Sequence, residues 1–393
     1  MGIFKSITFH FMQKVKRNSL LLLFQIIPKK FIFSQLIRIP HKKLTKAFIT
    51  CCKSESYDTA RFVFSVTPPQ QNKVITINFS PNGDNLSILC AGRLLFIYDF
   101  SYIFKKTFGQ IILKINLEED NATCCTFSPS SSHIAVGFKN KKVIVYGVNR
   151  LNKDKFGQII LKLQWDKGAA ISISYTPSGD YLAVVRKELS VIIFGMDHFN
   201  QTSYSKIVTE FYKNNEYPIY CLSYSPTFNS IALGSLGKTI IISYYDIIYD
   251  DYFNNDIEQK ILEDKGSKEI TNILAYSPSG DYLVTGSMGN KVIIYGANYF
   301  NKAYYGSELV VLDGFKGYVD SISFSFSGYY VAFGIHDTNE DIIYSLKPNK
   351  KHFGKQIIKL NAFKKSEKRS LSFSTTRPFL ASVCNIKSVV IYY

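Results

Sequence analysis

Hydrophobic and polar positions alternate in short runs along most of this chain, and the runs repeat. Each run closes on an aromatic anchor, at Phe79, Phe127, Tyr175, Tyr224, Tyr276, Phe324 and Phe373, with successive gaps of 48, 48, 49, 52, 48 and 49 residues. Ile75 and Ile77 precede the first anchor, Ile171 and Ile173 the third, Tyr220 and Leu222 the fourth. This period of two predicts a β-strand. The residue just before each anchor is small or polar (Asn78, Thr126, Ser174, Ser223, Ala275, Ser323, Ser372), as a crowded central position requires. A tight turn follows, Pro81-Asn82-Gly83-Asp84 in one copy and Pro177-Ser178-Gly179-Asp180 in another. There Pro presets φ and Gly accepts a positive φ. A second strand comes next, as in Ile134-Ala135-Val136, Tyr181 to Val185 and Ile231-Ala232-Leu233. After a short polar turn the third strand is nearly all apolar: Val143 to Tyr146, Val191 to Phe194, Val292 to Tyr295, Val389 to Tyr392. A continuous apolar run bounded by turns fits a strand covered on both faces. A fourth strand, such as Gln110 to Ile115 or Gln158 to Leu163, lies between units. So long a period predicts one four-stranded antiparallel sheet per repeat, in seven copies.

These residues resemble the WD-repeat family of β-propellers. The resemblance rests on the core Tyr276-Ser277-Pro278-Ser279-Gly280-Asp281, on Gly286-Ser287, and on four-residue apolar strands ending in an aromatic. It covers roughly residues 58 to 393 and implies an all-β, seven-bladed propeller. The chain departs from the family where the name-giving Trp-Asp pair becomes Tyr98-Asp99, Tyr146-Gly147, Phe194-Gly195, Tyr295-Gly296 and Tyr392-Tyr393. The Gly-His before the first strand survives only as Gly314-Phe315. The family's buried Asp-His-Ser-Trp network is therefore missing, and apolar packing is expected to hold the blades. The last repeat ends on its third strand, and the run Arg61 to Thr67 precedes the first repeat. In the family such an N-terminal strand completes the final blade and removes a sheet edge. The domain reading is a basic extension over residues 1 to 57 and a propeller over 58 to 393.

Charge divides along the same line. Of the 47 Lys and Arg, eleven lie in residues 1 to 54, which hold no Asp or Glu; the remainder keeps 36 basic against 30 acidic residues, a net +6. The basicity belongs chiefly to the extension, and the body's modest charge disfavours nucleic acid as a partner. Within the extension, Met1-Gly2-Ile3-Phe4-Lys5-Ser6 fits the N-myristoylation pattern, which would expose Gly2. One acyl chain binds a membrane weakly, so the neighbouring basic residues would supply the second signal. A targeting peptide and a plain extension are the other readings of this segment. A cytoplasmic location is expected, with membrane association or an organelle address as the alternatives. The phosphoinositide-binding string Phe-Arg-Arg-Gly does not occur.

No catalytic constellation emerges. The six His are scattered and no nucleophile elbow, phosphate loop or dinucleotide fingerprint occurs. The seven Cys show neither zinc nor disulfide spacing and are expected to be reduced and mostly buried. The expectation is a non-enzyme without cofactor or metal. The turns between second and third strands are more informative. They carry Arg93, then Lys139, Lys141 and Lys142, then Arg186 and Lys187, then Lys238, Lys291 and Lys387; the sixth unit has His336 and Asp337 instead. In the family these turns share the face where partners dock. A ring of cations there would draw an acidic or phosphorylated protein segment. The competing reading is internal pairing with Glu118, Glu119, Asp120, Asp166, Glu216 and Asp264 on neighbouring connections. The connection from Asp246 to Ile270 is acidic and aromatic and reads as a solvated insertion or a docking loop.

Overall fold

The computed structural model describes residues 62–69, 72–102, 105–187, 190–197, 204–211, 218–227, 230–235, 239–244, 259–263, 269–298, 301, 303–348, 352–366, 370–385 and 387–392. The chain divides into two units, residues 1–47 and 48–393. The first unit, with Gly2 and every reading of the basic extension, lies outside the described residues.

The described strands hydrogen-bond into seven four-stranded antiparallel sheets. Sheet 1 runs outward through Val74–Phe79, Asn85–Cys90, Leu94–Asp99 and Ile111–Asn116. Sheets 2 to 6 repeat this order, with innermost strands Ala122–Phe127, Ala170–Tyr175, Ile219–Tyr224, Thr271–Tyr276 and Val319–Phe324. Sheet 7 is assembled from both ends of the unit. Leu371–Phe373, Leu380–Asn385 and Ser388–Tyr392 come last in the chain, and Phe62–Val66, the first strand described, pairs antiparallel with Ser388–Tyr392. Each innermost strand touches that of the next sheet, and the strand of sheet 7 touches that of sheet 1.

Seven apolar clusters fill the seven junctions. Each aromatic anchor packs toward the sheet before it: Phe79 meets Ala381, Val389 and Ile391 of sheet 7, and Tyr224 meets Val191 and Ile193 of sheet 3. Among the described side chains, the third strands are buried on both faces. In sheet 3 Ile192 belongs to the junction with sheet 2, while Val191 and Ile193 belong to the junction with sheet 4. At about 1.5–3 kcal/mol for each fully buried aliphatic side chain, these strands contribute much of the driving force.

The innermost strands differ from simple alternation. A register shift interrupts the pairing near the start of six of them, between Val74 and Thr76 in sheet 1 and between Ala170 and Ser172 in sheet 3. Ile75 therefore packs into the junction with sheet 2, whereas Ile77 and Phe79 face sheet 7. A one-residue bulge sends neighbouring members of one apolar set to opposite sides. The small positions before the anchors gain a role as well. Ser372 Oγ accepts from the Phe79 backbone N–H (2.8 Å) and Ser323 Oγ from that of Phe373 (2.8 Å). Near the centre, hydroxyls thus satisfy the backbone of the next sheet, where a larger side chain would hold the strands apart.

Candidate binding face at the turns between second and third strands

Successive sheets meet at equivalent heights. Thr123 Oγ1 donates to Ala170 O (2.7 Å) and Asn272 Nδ2 to Val319 O (2.8 Å), in each case from one innermost strand to the start of the next. All second-to-third-strand turns therefore emerge on one face. The connections between sheets join them there: Leu117 N–H donates to Arg93 O (2.8 Å), Lys139 N–H to Asn121 O (3.1 Å), Lys187 N–H to Ala169 O (2.8 Å) and Met288 N–H to Ile270 O (3.0 Å).

The predicted cations share this face but not one fate. Arg93, Lys139, Lys141, Lys187 and Lys387 are exposed and Lys291 is half-buried. Arg93 and Lys141 hold left-handed turn positions, at φ 65° and 64°. Lys142 and Arg186 are buried. Lys142 pairs with Glu119, whose carboxyl this ammonium pulls below its ordinary range. Arg186 reaches Glu210 and Ser190 and lies 3.4 Å from Asp166. These two side chains are thus committed to the fold, as internal pairing would have it. Lys162 likewise pairs with Glu118 at 2.7 Å. Lys238 lies outside the described residues, as do Glu216 and Asp264. Sheet 6 answers the missing cation differently. His336 Nδ1 lies 2.8 Å from Asp320 Oδ2, and its ring stacks on Tyr318 with centroids 4.1 Å apart. Lys316 sits 3.5 Å and Lys359 2.8 Å from Glu340. Burial pushes the Glu340 carboxyl up, but the two ammonium groups outweigh it and hold it below the usual range.

The opposite face carries a repeated device that the sequence reading missed. In the connection from third to outermost strand, a left-handed residue after an aromatic donates its N–H to the end of the third strand or the residue beyond: Gly109 to Asp99 O, Gly157 to Gly147 O, Ser205 to Gly195 O, Gly306 to Gly296 O and Gly354 to Ser345 O. The recurring Phe108-Gly109, Phe156-Gly157, Tyr305-Gly306 and Phe353-Gly354 pairs were the available signal. This loop lies close over Gly147 and Gly296, whereas sheet 1 holds an Asp under the same pair of bonds, Gly109 N–H to Asp99 O and Asp99 N–H to Gln110 O. A Cβ on Gly147 would lie 2.1 Å from Lys155 O, and one on Gly296 2.2 Å from Tyr304 O. Sheet 1 keeps Asp99, fully buried, where its carboxylate accepts from Ser101 N–H (2.9 Å), Thr107 Oγ1 (2.5 Å) and Arg150 Nη1 (3.0 Å). Burial alone would raise its pKa, but these donors hold it well below the carboxylate range. Arg150 also donates to Asn85 Oδ1 (3.0 Å), tying sheet 2 to sheet 1.

Burial pushes the thiols of Cys90, Cys125 and Cys221 up to about 12, so they stay protonated and unreactive. Among the described residues no cluster of His, Cys, Asp and Glu has the makings of a metal site, and no helix is long and apolar enough to cross a membrane.

Residues 259–296 match the family model "WD domain, G-beta repeat". They run from the outermost strand of sheet 4, Gln259–Glu263, to the third strand of sheet 5, Val292–Gly296. No curated protein matches the chain. Among solved structures it is similar to the β-propeller domain of Myceliophteria thermophila Cps50 (Swd1), with a TM-score of 0.65 and 13% identity over 85% of this chain and 99% of that one. The fold is thus an all-β propeller with four-stranded antiparallel blades, and residues 259–296 within it match the WD-repeat model.

Proposed function

We propose that this chain is a non-enzymatic scaffold, a closed seven-bladed ring that assembles protein complexes and takes an acidic or phosphorylated partner segment on its cationic face. One observation carries this reading. Arg93, Lys139 and Lys141 stand exposed at neighbouring turns of sheets 1 and 2, while Lys142 and Lys162 occupy Glu119 and Glu118 on the connection between those sheets, and Arg186 occupies Glu210 within sheet 3. Cations held on rigid turns beside already-paired carboxylates keep their field for an incoming anion. The proposed scaffold is cytoplasmic, and residues 1 to 57 are read as a basic extension preceding the propeller.

The test replaces Arg93, Lys139 and Lys141 together with Gln in the full chain. Partners captured by the wild type and identified by mass spectrometry are then titrated against both proteins. Association is expected to slow about tenfold at low salt and to lose most of its salt dependence, because exposed charges act within a screening length of roughly 8 Å at physiological ionic strength. The melting temperature should barely move, since exposed pairs contribute at most about 1 kcal/mol each. Unchanged association with every captured partner would remove the cationic face from the account.

A further inference from the structure

The seven turns between first and second strands line the other face and touch around the ring. Asn82 N–H donates to Ser131 Oγ (3.0 Å), Thr227 Oγ1 to Ser279 O (3.4 Å) and Thr376 Oγ1 to Asn82 O (3.2 Å). Five of these turns have Pro at the second position (Pro81, Pro129, Pro177, Pro226, Pro278), and three end on Asp (Asp84, Asp180, Asp281). Sheet 6 breaks the pattern with Ser325-Phe326-Ser327-Gly328-Tyr329. Phe326 is 67% exposed and Tyr329 48% exposed.

The turn itself does not need these aromatics. Its backbone matches sheet 5: Gly328 N–H donates to Ser325 O (2.8 Å) as Gly280 N–H does to Ser277 O (2.9 Å), and Tyr330 N–H reaches Ser325 Oγ (3.1 Å) as Tyr282 N–H reaches Ser277 Oγ (3.0 Å). Both glycines are left-handed, at φ 68° and 74°. Two large rings therefore stand in water where the chain's own repeat uses Pro and Asp. Their neighbours are cationic. The Lys347 ammonium lies 5.2 Å from the centre of the Tyr330 ring, on a loop fixed by the Leu346 N–H bond to Tyr329 O (2.8 Å). The carboxylate of the adjacent turn, Asp281, accepts Asn298 Nδ2 (2.8 Å). Aromatic side chains are among the residues enriched at the centres of protein–protein interfaces, and the ammonium beside them favours an acidic partner.

We propose that the sheet 6 turn is a second docking site, which takes a short peptide segment of another protein with an aromatic or branched apolar side chain beside acidic residues. The apolar side chain covers Phe326 and Tyr329, and the carboxylates meet Lys347. The site lies on the face opposite Arg93, Lys139 and Lys141, so one ring can hold two partners at once.

The test uses the chain's own repeat as its control. Phe326→Pro with Tyr329→Asp restores the turn sequence of sheet 5, so the double variant should melt at or above the wild-type temperature. A phage-displayed library of random peptides is selected on the full wild-type chain, and individual peptides are titrated against wild type, this variant and the Arg93, Lys139 and Lys141 to Gln triple variant. Selection should yield peptides pairing an apolar residue with Asp or Glu that bind the double variant at least tenfold more weakly and the triple variant normally. Peptides sensitive only to the triple variant would leave the cationic face standing and overturn this second site. So would a selection in which no peptide distinguishes the double variant from wild type. If phosphatidylserine vesicles, and no peptide, bind wild type better than the double variant, the surface reads lipid and the peptide proposal falls.

Discussion

Ile193→Asp leaves no soluble folded protein. The side chain is fully buried, and it packs with Ile219, Leu222 and Tyr224 of the next sheet. A carboxylate placed there has neither water nor a partner, and burying a lone charge is among the few single changes that rival the whole stability of a domain, about 5–15 kcal/mol. Ile293→Asp should act alike, since Ile293 sits among Ala232, Leu262 and Leu274 at the junction of sheets 4 and 5. Ile193→Val is the control: it should cost only about 1 kcal/mol and stay soluble. Solubility, size-exclusion profile and melting temperature of the three variants decide the matter. A monodisperse Asp variant melting near wild type would mean that the third strands do not lie between sheets.

Gly296→Asp is expected to weaken the fold although it restores the residue that names the family. A Cβ at this position would lie 2.2 Å from Tyr304 O and 2.9 Å from Tyr304 C, both backbone atoms. Making room means shifting a loop held by the bonds from Gly306 N–H to Gly296 O (2.7 Å) and from Gly296 N–H to Ser307 O (3.0 Å). Overpacking against backbone, with an added carboxylate to satisfy, should cost roughly 3 kcal/mol or more. At the matching place in sheet 1 the loop carrying the same bonds has room for the Asp99 Cβ, and Ser101, Thr107 and Arg150 surround its carboxylate; the loop over Gly296 offers neither the room nor those donors. Denaturant midpoints for Gly296→Asp and Gly147→Asp test this. Either variant equalling or exceeding wild type would show that the loop does not exclude the family's Asp.

The parts of this fold that were legible in the sequence are those set by local chemistry. Apolar strands such as Val191 to Phe194 announce burial on both faces, and Pro-Ser-Gly-Asp turns announce hairpins, because each depends on neighbours a few residues away. What depends on a second sheet was hidden. Ile75 and Ile77 read as one face until the bulge at the start of the strand sent them to different junctions. Pairing with Glu119 and Asp166 was legible as one reading, but not that Lys142 and Arg186 rather than their exposed neighbours would take it, nor that Arg186 would reach Glu210, 24 residues on. Arg150 gave no sign that it would cross to Asp99 and Asn85, 51 and 65 residues earlier. The aromatic–glycine signature of the outer loops was legible in principle, but its meaning required seeing a carbonyl laid over Gly147 and Gly296.

Both faces depend on one ring closed by Phe62–Val66 against Ser388–Tyr392, and melting two truncations of the chain tests that closure most directly. Removing residues 1 to 54 spares the strand; removing residues 1 to 68 deletes it and leaves Ser388–Tyr392, with Val389, Val390 and Ile391 fully buried in the intact ring, as an open edge. An unpaired edge loses backbone partners and invites association between chains. The shorter deletion should melt with the full chain, and the longer one should melt roughly 10 °C lower and aggregate. Equal melting temperatures and equal monodispersity would contradict the closed ring.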